Sequence, residues 1–348
     1  MSSRRISRRT FTTAAVFAAA VGVPLVRAQG ARPERSRVTI VHGSRSSIPA
    51  LPLTIAEQLG YFRAEGVEVE FVEQAPAARS LQDGGAGPGD VVCGPFEQVV
   101  QLQGRGQFFQ SFVLQGRAPQ VAVGVSTRAM PGFRGVAQLR GHRVGVAAPG
   151  LMSGMVARLV LARGGLDPAD VSYVGLGAQW EAVSSFRAGQ LEAIAHTDPV
   201  ITHLEQRGEL RIIGDTRTLK GTQEIFGGPM PAGCLYAPQE FIQKNPLTCQ
   251  ALANGVVHAL KWLQTAGPSD IIRTVPEAYF MADRALYLAA FNKVREAISP
   301  DGVMADEAVR TAIRTVARFD AAVRIDRIDA SRAYTNDFAR RAKDKFHA

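Results

Sequence analysis

Cysteine occurs only three times in 348 residues, at Cys93, Cys234 and Cys249, with neither a CxxC pair nor the spacing of a metal site. So few and scattered a set excludes a disulfide-built fold. It points to buried free thiols, although one bridge can form in an oxidising compartment. His42, His142, His196, His203, His258 and His347 show no ligand spacing, so no metal and no cofactor is expected. There is no GxSxG elbow, P-loop or HExxH, which removes the commonest hydrolase, nucleotide-binding and metalloprotease signatures. Helix-turn-helix, zinc-finger and aromatic-basic patterns are missing too, and nucleic acid is excluded as a partner. No fixed-period repeat, low-complexity tract or heptad is present. The chain also lacks any cluster of Arg or Lys that would mark a dedicated anion pocket.

A spanning helix needs roughly 20 apolar residues, and the apolar run Thr12 to Val26 is about 15 long and interrupted by Gly22 and Pro24. Before it stand Arg4, Arg5, Arg8 and Arg9, with Ser7 to Phe11 forming a twin-arginine pattern; after it, Val26-Arg27-Ala28 resembles a cleavage site. Residues 1–28 therefore read as a twin-arginine signal peptide, and the mature protein as exported and periplasmic. The leader carries five arginines and no acid, so its removal lowers the net charge from +9 to +4. The remaining composition, 46% hydrophobic and 20% charged, is ordinary for a globular protein of two or three domains.

What is present is a strand–helix alternation that runs twice. Val38 to His42, Val67 to Val72 and Asp90 to Cys93 read as strands of a first series, with short helices at Pro52 to Leu59, Ala77 to Leu81 and Phe96 to Leu102 and a glycine-rich turn from Asp83 to Gly89. Phe108 to Leu114 and Val121 to Ser126 add two strands. The pattern then restarts with the strand Arg143 to Ala147, the loop Ala148 to Gly154, a helix from Met155, and strands at Val171 to Val174, Ala193 to His196 and Leu210 to Gly214. Phe226 to Ala237 returns as a strand, and the rest is helical: 246–265, 268–275, 282–299, 305–317 and 330–345. Such order argues for parallel or mixed sheets with helices on both faces, whose ligands sit at loops beyond the strand carboxyl ends.

Six segments in order resemble one family. Ile55 to Glu70 is similar to "A..LGYF..EGLDVE", Leu139 to Gly150 to "L.GK.VGV..PGS", Ala162 to Val171 to "K.AGLDP.DV" and Phe186 to Ala193 to "L.AGQVDA". His196 to Pro199 stands where that family has "..WEP", and Ala237 to Pro246 resembles "....FI..NP". These are motifs of ABC-transporter substrate-binding proteins of the nitrate/sulfonate/taurine and thiamine-pyrimidine-precursor type. The resemblance covers roughly residues 38–265. It implies an α/β, bilobed type II periplasmic-binding-protein fold, with two α/β lobes, a two-strand hinge and a helical C-terminal extension. Lobe I would comprise 38–127 and 228–348, lobe II 128–227, with crossings near Val125 to Arg128 and Phe226 to Pro231.

By position, the resemblance implies ligand contacts from Ser44, Ser46 and Ser47, from Gly94 and Pro95, and from Gly150, Met152, Ser153 and Gly154, with Trp180 and Asp198 added. Each has a plainer reading beside it. Ser153 can cap the helix that it opens, the three serines can solvate a turn, Trp180 can pack on the surface, and Asp198 can cap a helix. His196 reads as partly internal, neutral and hydrogen-bonded. Leu151-Met152-Ser153 stands where the family often has three serines. That trades hydroxyls for apolar surface and favours a partly hydrophobic organic ligand over an oxyanion. The expected function is capture of a small organic molecule (sulfonate, amine, pyrimidine or aromatic acid) by a monomer that delivers it to an ABC permease. No catalytic residue is expected. The alternatives are a ligand-sensing subunit for a membrane receptor and a pyrimidine-synthase-like enzyme of the same fold, whose Cys-rich motif and iron-binding histidines this chain lacks.

Overall fold

The computed structural model describes residues 32–73, 89–177, 179–321 and 323–348. The leader 1–28, the helix expected at 77–81 and nearly all of the glycine-rich turn fall outside the described residues. In chain order the first elements are β1 (Arg37–His42), α1 (Leu51–Gln58), α2 (Tyr61–Ala64), β2 (Glu68–Glu73), β3 (Val91–Pro95), α3 (Glu97–Gly104) and β4 (Phe109–Leu114). Next come β5 (Val121–Ser126), β6 (Arg143–Val146), α4 (Met152–Arg163), β7 (Ser172–Gly175) and α5 (Gln179–Arg187). The series continues with β8 (Ala193–Thr197), α6 (Val200–Gln206), β9 (Leu210–Asp215), α7 (Leu219–Phe226) and β10 (Gly233–Pro238). Seven helices close the chain: α8 (Gln239–Lys244), α9 (Pro246–Thr265), α10 (Pro268–Thr274), α11 (Arg284–Val294), α12 (Asp306–Phe319), α13 (Ala330–Ala333) and α14 (Asp337–Phe346).

The strands form two five-stranded sheets, ordered β2-β1-β3-β10-β4 and β7-β6-β8-β5-β9. Within each, the first three strands are parallel and the fourth position is filled by an antiparallel strand, β10 in one sheet and β5 in the other. Each of these strands is the first to follow a crossing between lobes. The sequence reading put β5 in lobe I (38–127) with a crossing near 125–128. The structure moves it: Val121 pairs with Thr197 and Ala122 with Asp215, so β5 belongs to lobe II and the first crossing is 115–120. The chain returns to the first sheet through 227–232. The crossings hold one another, with the Ala232 N–H donating to the Gly116 carbonyl at 2.8 Å and the Gln115 N–H to the Gly233 carbonyl at 2.7 Å.

β5 is buried at all six positions, as a strand inside a sheet covered on both faces requires. α12 presents Ala308, Val309, Ala312, Ile313 and Val316 as one buried stripe, the i, i+4, i+8 pattern of an amphipathic helix. The 20-residue α9 is buried along most of its length against α1, α2 and α14. The expected final helix breaks at residues 334–336, because Tyr334 bridges to Ser111 of β4 and the Thr335 N–H donates to the Ser111 carbonyl at 2.8 Å. All three cysteines are buried free thiols. Among the described residues, no helix is long and apolar enough to cross a membrane.

Candidate functional site

The carboxyl ends of β1, β3, β6 and β8 converge on a cavity of about 550 Å³ between the two sheets. Lobe I supplies Ser44, Ser47, Gly94 and Pro95 to its wall, and lobe II supplies Met152, Ser153 and Asp198. Seven of the sequence-predicted residues are thus brought together. Ser46, Gly150, Gly154 and Trp180 are not part of the wall, and each has another task. The Ser46 hydroxyl pairs with that of Ser44 at 3.0 Å, while its carbonyl accepts from Gln179 Nε2 of lobe II at 2.8 Å. Gly150 is exposed, and its carbonyl lies 3.4 Å from Gln101 Nε2 of α3. Trp180 is 47% exposed and packs edge-on against His203, its ring centroid 5.3 Å away.

Two glycines owe their identity to close approach. A Cβ on Gly154 would stand 2.3 Å from the Pro149 carbonyl oxygen, and one on Gly94 would stand 2.6 Å from Gln98 Oε1. At Gly154 the obstacle is backbone and no side chain fits, whereas at Gly94 the amide of Gln98 would have to move. Ser153 ties the Pro-Gly loop to α4, since its Oγ accepts from the Ala147 N–H at 3.1 Å. α4 starts three residues earlier than the apolar periodicity predicts, at Met152 after Leu151 as N-cap. The hydroxyl therefore braces the loop without capping the helix, and its proton remains for a ligand.

Asp198 is 1% exposed. Its Oδ1 accepts from the Thr202 N–H at 2.8 Å, opening α6, and its Oδ2 lies 3.4 Å from Arg217 Nη1. Burial raises its pKa, against the pull of the Arg217 guanidinium. The capping reading thus holds for the carboxylate. Its backbone carbonyl instead accepts from the Ile48 N–H of lobe I at 3.3 Å, one of the contacts joining the lobes.

Several wall residues were not among the expected ligand contacts. His42 ends β1 with Nδ1 2.9 Å from the Gly43 carbonyl, and burial lowers its pKa. His196 is buried, with Nε2 3.1 Å from the Gly177 carbonyl, and burial lowers its pKa too. Cys93 accepts from Gln115 Nε2 at 3.1 Å, and burial pushes its thiol up to about 11, so it stays protonated. Gln98, whose Oε1 accepts from the Tyr236 hydroxyl at 2.6 Å, and Gln179 complete the polar part of an otherwise apolar wall. Only their place at or just past the strand carboxyl ends could have singled them out.

Beside the cavity, at the start of α3, Glu97 is 0% exposed, and neither of its carboxyl oxygens has a hydrogen-bond partner of full geometry. Burial pushes its pKa up to about 8, opposed by its own N–H and by the Met152 N–H at the start of α4. Among the described residues, no three His, Cys, Asp or Glu side chains group so as to hold a metal ion.

A family model described as NMT1-like matches residues 31–275. A solved structure from Bordetella bronchiseptica RB50 is 45% identical, covering 91% of this chain and all of that one, with a TM-score of 0.87. The periplasmic nitrate-binding protein NrtA from Synechocystis PCC 6803 is 16% identical over 90% of each chain, with a TM-score of 0.70. The alkanesulfonate-binding protein SsuA from Xanthomonas axonopodis pv. citri, bound to MOPS, is 18% identical over 87% of this chain and 99% of its own, with a TM-score of 0.64. These last two share the fold. No curated protein matches.

Proposed function

From the premise that this chain belongs to the NMT1-like family, we propose that it is a periplasmic solute-binding protein, capturing a small organic molecule between its lobes and presenting it to an ABC permease. The observation that carries this reading is a cavity of about 550 Å³ walled by both lobes at strand carboxyl ends. A volume of that order suits a small organic ligand. The cross-lobe bonds Ile48–Asp198 and Gln179–Ser46 close over it. Ligand contact falls to Ser44, Ser47, Gly94, Pro95, Met152, Ser153 and Asp198. Capture needs no covalent step: a ligand that contacts both lobes favours the closed form, and a permease reads that form. Export by the twin-arginine route and a monomeric state belong to the same proposal.

Thermal unfolding against sulfonates, amines, pyrimidines and aromatic carboxylates tests it. A ligand at about 100 times its dissociation constant adds roughly 2.7 kcal/mol, and small-angle scattering should show compaction with the same compound. No response to any class would sink the reading.

A further inference from the structure

Between α10 and α11 the chain turns sharply, with the Asp283 N–H donating to the Phe280 carbonyl at 2.9 Å. The two central residues of this turn, Met281 and Ala282, have φ of +50° and +60°. Such turns favour Asn, Asp or Gly at those positions, because a Cβ in the left-handed region costs free energy. Two consecutive residues of other types are held there only where surrounding contacts dictate it.

Those contacts lie in opposite lobes. Phe280 is 0% exposed and packs edge-on against Tyr287 at 5.2 Å, within the apolar core of lobe I. Met281 is 3% exposed and joins the cluster of Val183, Phe186, Ile201 and Leu204. Among the described residues, every other buried member of that cluster belongs to lobe II. Lobe I thus seats one side chain inside its neighbour. The Arg284–Glu277 ion pair, at 2.5 Å, ties the two sides of the turn together. From there α11 runs for 11 residues, about 16 Å, and the chain reaches Ile298, which bridges to Gly116 of the first crossing. A helix length therefore separates the seat from the hinge, and lobes that part at this edge draw Met281 out. An unbranched thioether suits a seat that is entered and left repeatedly.

Resting on the solute-binding reading, we propose that Met281 is a latch for the closed form. Carried by lobe I and seated in lobe II, it sets the balance between open and closed lobes, and through that balance the apparent affinity for solute. The strained turn opposes the seat, since part of what burial of Met281 contributes is offset by two left-handed residues, and the latch stays reversible.

The test is the distance between spin labels on Glu68→Cys of lobe I and Arg134→Cys of lobe II, both exposed, read by pulsed electron resonance without solute; the native thiols are buried. Met281→Ala should raise the open-to-closed ratio by about tenfold. Ala282→Gly, at an exposed position, relieves the turn while leaving the cluster intact and should lower that ratio by about threefold. A solute that binds should lose affinity in the first variant and none in the second. An unchanged distance distribution in Met281→Ala overturns the inference, and so does an Ala282→Gly protein that opens. Should Met281→Ala fail to fold, Ala282→Gly decides alone, and distances that stay the same or lengthen overturn the latch. Because the distances are read without solute, failure of every compound to bind sinks the solute-binding reading while the latch is judged separately.

Discussion

At the scale of single residues, the acid that matters most looked least remarkable in sequence. Glu97 follows Gly94-Pro95-Phe96, where a first-turn carboxylate suits a helix dipole, and nothing in one sequence reports that it is fully buried. Its pKa, raised by burial from 4.5 to about 8, fixes a pH dependence. The unfolded chain loses this proton near pH 4.5 and the folded chain only near 8. Stability is therefore undiminished below about 4.5, falls by up to about 1.4 kcal/mol per pH unit between the two values, and is flat above 8. The neighbouring titratable groups Cys93, Cys234 and Tyr236 are all pushed up by burial and stay neutral through that window. Glu97→Gln should leave the unfolding temperature close to wild type near pH 4.5 and above it at pH 8, a comparison that differential scanning calorimetry makes directly. Ser153→Ala should cost about 1 kcal/mol in denaturant unfolding, by leaving the partly buried Ala147 N–H without its acceptor.

At the scale of elements, the start of α4 is a packed junction. Gly154→Ala would push a methyl into the Pro149 carbonyl and should destabilise by about 1–3 kcal/mol, while a ligand that needs the loop in place loses affinity in the same variant. Strands and helices here were largely legible, because the short apolar run of β1 and the stripe on α12 follow directly from burial on two faces and on one. The allegiance of β5 was not. VAVGVS is apolar but for its last residue and reads the same in either sheet, and the partners of Val121 and Ala122, Thr197 and Asp215, lie 76 and 93 positions downstream. The break before α14 was hidden for a related reason, since Tyr334 leaves the helix to bridge a strand more than 200 positions earlier. Seven of the eleven expected contact residues reach the cavity wall because loop position at a strand end is a topological property that sequence order reveals. Trp180 follows the plainer of its two readings, packing edge-on against His203.

For the whole molecule, closure depends on a few polar links between lobes. Lys293 of α11 reaches Glu205 of α6 at 2.7 Å, and Gln179 reaches the Ser46 carbonyl at 2.8 Å. Gln179→Ala should weaken ligand binding by about fivefold, near 1 kcal/mol, with less compaction on ligand addition in small-angle scattering. Its unfolding temperature without ligand should change little, because neither lobe core is touched.

The arrangement of the two antiparallel strands also sets an order of assembly during synthesis. Lobe II runs without interruption from β5 through α7, so its sheet is complete once residue 215 is available. The sheet of lobe I is not: β4 has no neighbour in it until β10 arrives to stand between β3 and β4. A nascent chain halted at residue 232 would carry a finished second sheet and a first one with its fourth row missing. The cleft is therefore born from its far side, and its near wall stays open until translation has passed Pro238.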